Sequence, residues 1–186
     1  MPIVGERSDI VGVDTSTLFD NMHEMVFEIL RTSLEEAEAG YCTKIRVELL
    51  TDGRIKIADN GRGIPLSKDI QASKTVLEKI LAGHPISSME YTELGDFAGC
   101  GMQTVNSLCE SLQVTVYRDG MAFQQDYVRG IAQHDIICKE VEHKSGTEMI
   151  FKPDRQIFGD TQFSVNVLKE WIRENNLDKV LVIWEE

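Results

Sequence analysis

The stretch Arg54-Ile-Lys-Ile-Ala-Asp-Asn-Gly-Arg-Gly-Ile-Pro65 decides how this chain is read. Ile55 and Ile57 alternate with Lys56 and Ala58, the two-residue period of a β-strand. That strand delivers a carboxylate, Asp59, into a turn holding Gly61 and Gly63. An ionised carboxylate only accepts hydrogen bonds, so it suits the 6-amino group of adenine and repels the 6-oxo group of guanine. Glycines without a Cβ permit positive φ and the close approach of a flat ligand. The plainer use of Asn60-Gly61 is a tight turn with no ligand. Taken alone, the stretch leaves both readings open.

Composition narrows the field. The 186 residues, 42% of them hydrophobic, suffice for one sizeable core. A formal net charge of -12 argues against a nucleic-acid groove, since phosphate binding draws on clustered Lys and Arg. No run reaches the roughly 18 apolar residues of a membrane span, and the opening residues lack the blocks of a secretory signal. The expected compartment is cytoplasmic. Cys42, Cys100, Cys109 and Cys138 are scattered without CxxC spacing, so reduced structural thiols are expected and no metal site. His23, His84, His134 and His143 pair with no nucleophile and read as surface or satisfied histidines.

Along the chain, Asp14-Thr-Ser-Thr17 offers N-cap residues to a helix from about Leu18 to Ala39, closed by Gly40. Strand patterns follow at Lys44–Leu50 and Arg54–Ala58, joined by the hairpin signal Thr51-Asp-Gly53. A helical pattern over Ser67–Ala82 leads into a breaker-rich loop over 83–100, and Gly101 opens a further helix to about Leu108. Leu112–Arg118, Met121–Val128, Ile131–Val141 and Thr147–Phe151 alternate as antiparallel strands, with Asp119-Gly120 as a hairpin turn. A helix over Gln162–Glu174 and a strand over Val180–Trp184 close the pattern. This mixed order predicts an α+β fold, a two-layer sandwich of a mixed, mostly antiparallel sheet with helices on one face.

On a helical wheel the first helix buries Leu18, Met22, Met25, Val26, Ile29, Leu30, Ser33 and Ala37 in one stripe. Glu28, Thr32 and Glu36 follow one another by about 40° and form a polar seam along its edge. A carboxylate there is costly unless paired, and Arg62 of the glycine turn is the available partner for Glu36. The plainer reading of these acids is a solvated helix edge.

Taken together, Glu24–Cys42, Asp59–Pro65, Gly95–Gly101, Val116–Gly120 and Lys144–Thr147 occur in the order seen in the ATPase domain of DNA gyrase B. From about residue 11 to 186 the chain resembles that domain, the Bergerat-type fold shared with heat-shock chaperone, histidine kinase and mismatch-repair ATPases. Residues 1–10 read as a polar segment, and residues 11–186 as a single ATP-binding domain with no second, transducer domain. The resemblance implies ATP or ADP as ligand, with Glu28 as the general base and Asp59 as the adenine-reading acid. It implies that Glu36 and Arg62 flank the pocket and that Gly63, Ile64 and Pro65 floor it. Gly95, Gly99 and Gly101 match the phosphate lid, Arg118 the pocket rim, and Thr147 the threonine that supports the acid through water.

Departures from the family pattern limit these implications. Thr32 stands where the family has the asparagine that ligates Mg²⁺. Its shorter side chain weighs against direct ligation at the about 2.0–2.1 Å that this ion demands. Glu90, Glu93 and Asp96 place negative charge in the lid. The family's γ-phosphate lysine comes from a further domain, so a second domain or protein partner is implied for turnover, and turnover by this chain alone is expected to be weak or absent. The alternative is a non-catalytic regulatory or interaction module with weak or no nucleotide binding.

Overall fold

Five residues of one helical face set the core: Met22, Met25, Val26, Ile29 and Leu30 are all nearly inaccessible to solvent. They lie on helix α1 (Thr15–Glu38), whose end is marked by Gly40 in the left-handed region at φ 82. The computed structural model describes residues 15–66, 76–82, 101–175 and 181–185. The expected polar segment over 1–10, most of the expected helix over 67–82 and the expected lid with Gly95 and Gly99 lie outside the described residues.

After α1 come strands β1 (Lys44–Leu49) and β2 (Ile55–Asp59), then helices α2 (Val76–Ala82) and α3 (Met102–Leu108). Strands β3 (Cys109–Arg118), β4 (Met121–Val128), β5 (Ile131–Ala132), β6 (Ile137–Glu140) and β7 (Gly146–Pro153) follow. The chain continues through α4 (Arg155–Phe158), α5 (Val165–Glu174) and β8 (Leu181–Glu185). The strand order is β5-β4-β3-β7-β2-β1-β8, with β6 also on β4; β1 and β8 run parallel and the other pairs antiparallel.

Alternation assigns the two faces of the sheet. Ile45, Val47, Ile55, Ile57, Val114, Val116, Met149 and Phe151 join the helices in one core cluster. Each such side chain contributes about 1.5–3 kcal/mol on burial. Positions between them carry charge: Lys56 lies 3.5 Å from Glu48 and 3.6 Å from Glu148 across three neighbouring strands. A charged residue at Ile57 would put a carboxylate into the helix-facing layer and break it. The expected α+β sandwich is the fold observed. No described helix is long and apolar enough to cross a membrane.

Two details differ from expectation. The predicted strand over Ile131–Val141 is split into β5 and β6, whose registers on β4 differ by two residues, and Gln125 of β4 donates its side-chain amide to the His134 carbonyl between them at 3.1 Å. The final predicted helix is also shorter at its start. Ser164 caps α5, and its own backbone N–H donates to Nε2 of the buried His23 at 2.9 Å. His23 is thus a satisfied core histidine.

Candidate active site

Strand β2 ends on Asp59, and three elements converge on its carboxylate. Oδ1 accepts from the Gly61 N–H at 2.9 Å and from the Thr147 N–H of β7 at 3.2 Å, while Oδ2 accepts from the Ser33 hydroxyl of α1 at 3.0 Å. Burial pushes the Asp59 carboxyl above its usual range; these hydrogen bonds oppose that shift, and the negative charge of Glu36 adds to it. The sequence places Ser33 only in the buried stripe. The helical period identifies a face, and the hairpin supplies the partner.

The turn beyond Asp59 is fixed from both sides. Glu36, 4% exposed, accepts three hydrogen bonds from Arg62: from the backbone N–H at 2.9 Å and Nε at 3.2 Å on Oε2, and from Nη2 at 2.7 Å on Oε1. Burial alone would raise the Glu36 pKa, but the bonds and charge of Arg62 outweigh it and hold the carboxyl below its ordinary value. The guanidinium also lies over the Tyr41 ring, 3.7 Å from its centroid. The expected Glu36–Arg62 clamp is present, and Tyr41 is an addition the sequence pattern did not mark.

Both glycines are needed, for different reasons. Gly63 has φ 78, and a Cβ there would sit 2.8 Å from the Tyr117 carbonyl and 3.0 Å from that of Gly146. Gly61 is not among the residues with positive φ, contrary to expectation; a Cβ on it would meet Glu36 Oε2 at 2.9 Å. Arg118 Nη1 donates to the Gly63 carbonyl at 2.9 Å, and the Thr147 hydroxyl accepts from the Ile64 N–H at 3.3 Å. Ile64 is buried beneath the turn and Pro65 is half-buried beside it. Asn60 ties the turn to β1 by accepting from the Thr43 and Lys44 N–H groups, each at 2.9 Å.

Along α1 the seam continues to Glu28. Its Oε2 accepts from the Gly101 N–H at 3.2 Å, and its Oε1 accepts from Arg31 Nη1. Gly101 again excludes a side chain, since a Cβ would lie 2.9 Å from the Glu28 carboxylate. Thr32 is buried and donates its hydroxyl to the Ile29 carbonyl at 2.8 Å, folded back on its own helix. Among the described residues no group of three or more His, Cys, Asp or Glu is placed to hold a metal ion. The donor set here does not fit direct ligation of Mg²⁺ by Thr32.

A cleft of about 590 Å³ lies at the other end of β2, bounded by the β1–β2 hairpin, α4 and Phe163. Its cations already face acids, Arg54 on Asp52, Lys152 on Glu110 and Arg155 on Asp160. The unfilled acceptor capacity and the bare backbone are at the Asp59 end.

A family model for the histidine kinase-, DNA gyrase B-, and HSP90-like ATPase matches residues 18–157. The DNA gyrase B protein of Chlamydia pneumoniae is 36% identical over 181 residues, covering 92% of this chain and 22% of its own length. That of Thermotoga maritima is 38% identical over 159 residues, covering 82% of this chain and 25% of its own length. This chain thus spans about a quarter or less of these relatives. The 43K ATPase domain of Thermus thermophilus gyrase B, solved with an aminocoumarin, aligns with a TM-score of 0.68 at 35% identity over 82% of this chain and 39% of that one. The ATP-binding domain of Francisella tularensis topoisomerase IV, solved with a small-molecule inhibitor, gives a TM-score of 0.72 at 24% identity over 87% and 80% of the two chains, a likeness of fold. The chain belongs to the histidine kinase-, DNA gyrase B- and HSP90-like ATPase family, and DNA gyrase B proteins are among the members that it matches over most of its length.

Proposed function

We propose that this domain binds ATP or ADP with the adenine on Asp59 and the phosphates toward Glu28 and Gly101. Hydrogen-bond accounting at Asp59 carries the reading. A carboxylate offers about four acceptor positions. The Gly61 N–H, the Thr147 N–H and the Ser33 hydroxyl take up three, which leaves one on Oδ2 for a single exocyclic N–H. The 6-amino group of adenine supplies that donor, and the 6-oxo group that guanine carries at the same position does not. Gly61 and Gly63 keep the facing backbone bare, and the Glu36–Arg62 clamp sets the turn before any ligand arrives, so little ordering is needed on binding.

Glu28 is the proposed general base. In hydrolysis it would take a proton from water as the water oxygen bonds to the γ-phosphorus. The bond from that phosphorus to the β,γ-bridging oxygen breaks, leaving ADP and phosphate. The family employs Mg²⁺ to neutralise phosphate charge, but no step is assigned to it here, since the short Thr32 side chain is turned back onto the Ile29 carbonyl of its own helix. Turnover by this chain alone is accordingly weak in this reading, and a second domain or protein partner would complete the phosphate site. A direct nucleic-acid contact is not proposed, given the net charge of -12. The proposed compartment is the cytosol, where the free thiols of Cys42, Cys109 and Cys138 would stay reduced.

Calorimetric titration with ADP and ATP, each with and without Mg²⁺, tests the proposal. Saturable heat with both nucleotides and little dependence on the metal is expected. No heat and no thermal shift with either nucleotide would refute it.

A further inference from the structure

We infer that Arg31 fixes the aim of the Glu28 carboxylate so that it serves poorly as base, making Arg31 a positioning residue that restrains turnover at the proposed nucleotide site. The inference rests on the reading of Glu28 as the base. Arg31 lies one turn beyond Glu28 on α1, and its Nη1 donates to Glu28 Oε1. Nη2 of the same guanidinium reaches Glu24 Oε2 at 3.4 Å, so the fork spans two acids on one helix face. Its Cζ lies 5.9 Å from the centroid of the Trp171 ring, and that ring stacks on Phe27 with centroids 4.6 Å apart and planes 6° from parallel. The guanidinium is therefore supported from α5 as well as from α1.

The consequence falls on Glu28. A general base needs an oxygen aimed at the attacking water within about 2.6–3.2 Å. Here one acceptor position of Oε1 is taken by Arg31 and one of Oε2 by the Gly101 N–H, so the aim of the carboxylate is set by two protein donors before any water arrives. Charge-assisted bonds of this kind are the stronger and more directional ones. Thr32, one position beyond Arg31, is turned back onto Ile29. The same turn of helix that presents the base thus also supplies the cation that occupies it.

Phosphate release from ATP in the presence of Mg²⁺ tests this on the full chain, with ATP affinity measured in parallel by calorimetry. Arg31→Ala and Arg31→Gln are expected to raise kcat about three- to fivefold, roughly what a half-exposed ion pair is worth. KM and the ATP Kd should stay within about twofold, because the guanidinium is not placed on the base-binding residues. Arg31→Lys should keep turnover low, and Glu28→Gln combined with Arg31→Ala should abolish the gain. If ATP binds and kcat is unchanged or falls in both Arg31 variants, or if the gain survives Glu28→Gln, the inference is overturned. If ATP binds to none of these proteins, the nucleotide reading itself fails and takes the inference with it.

Discussion

Replacing Glu36 by Gln keeps the volume of the side chain and removes its charge, which isolates the electrostatic part of the turn clamp. The wild-type carboxylate accepts three hydrogen bonds from Arg62, at 2.9, 3.2 and 2.7 Å. The amide has a single oxygen, and its NH₂ would face Arg62 donors, so at most part of the set is kept. Hydrogen bonds to charged groups are worth about 1.5–3 kcal/mol each on removal. Two corrections reduce the sum. The Arg62 side chain is 50% exposed and regains water when released, and wild-type Glu36 already carries the cost of its own burial. A net loss of about 2–3 kcal/mol remains, or about 4–12 °C in Tm for a chain of this size. Urea melts at several pH values are the assay. The folded-state pKa of Glu36 lies below its ordinary 4.5, so the stabilisation is fully present above that value and is lost as pH falls through the folded pKa. The difference between wild type and Glu36→Gln should therefore be flat from about pH 8 to 5 and shrink below about pH 4.5. Equal or greater stability of the variant at pH 7 would show that the burial cost exceeds the pairing. A difference that persists unchanged to pH 3 would show that charge is not its source.

Three further outcomes are expected. Asp59→Asn should weaken ATP binding about tenfold or more through loss of a charge-assisted bond. In wild type, because burial raises the Asp59 pKa, affinity should fall on acidification at a pH above its ordinary 3.8; calorimetry across pH checks both, and unchanged affinity in the variant would place base recognition elsewhere. Gly63→Ala should cost at least about 2 kcal/mol in a chemical melt, against about 1 kcal/mol for Gly53→Ala. The two share nearly the same φ, 78 and 81, but a Cβ at Gly53 meets nothing within 4 Å; equal losses would mean that φ alone, not contact with β3, fixes the turn. Asp154→Ala should destabilise by about 2–4 kcal/mol, because this buried carboxylate both caps α4 at the Gln156 N–H, 2.9 Å away, and pairs with Arg129 Nε at 2.7 Å. A loss below about 1 kcal/mol would reduce it to an ordinary cap.

The arrangement around Asp59 was legible because its chemistry is local. Asp59, Gly61 and Gly63 stand within one turn, and strand alternation before them fixes which way the carboxylate leaves the sheet. The Glu36–Arg62 pair could also be inferred, since a buried acid requires a cation and the hairpin limits which one it meets. Ser33, Tyr41 and Arg31 were not legible in the same way. Each has a satisfactory local role, as a buried small residue, a residue after a helix cap and a helix-surface cation. Their partners are decided by how α1 lies against the turn and against α5, a tertiary property that a period of 3.6 does not encode. The split of β5 from β6 and the four-residue helix α4 follow the same rule: at each, one side chain, Gln125 or Asp154, satisfies a backbone group of another segment.

The two halves of the site differ in how strongly the fold determines them. Around Asp59, α1, the turn and β7 each supply a donor to one carboxylate, and Gly63 is confined by the β3 and β7 backbones. A change at any of these positions disturbs packing as well as the proposed recognition, so the arrangement around Asp59 is tied to stability. Glu28 and Arg31 have side chains 30% and 43% exposed on one face of α1, and neither belongs to the core cluster. Substitutions at such positions usually cost less than about 0.5 kcal/mol. Thr32 sits between the two regimes, buried but bonded only within its own helix. Substitution at Glu28 or Arg31 therefore leaves the fold intact, whereas substitution at Asp59 or Gly63 does not. Under the proposed function, that asymmetry lets turnover be restrained through Arg31 while the turn built by Glu36, Asp59, Gly61, Arg62 and Gly63 stays intact.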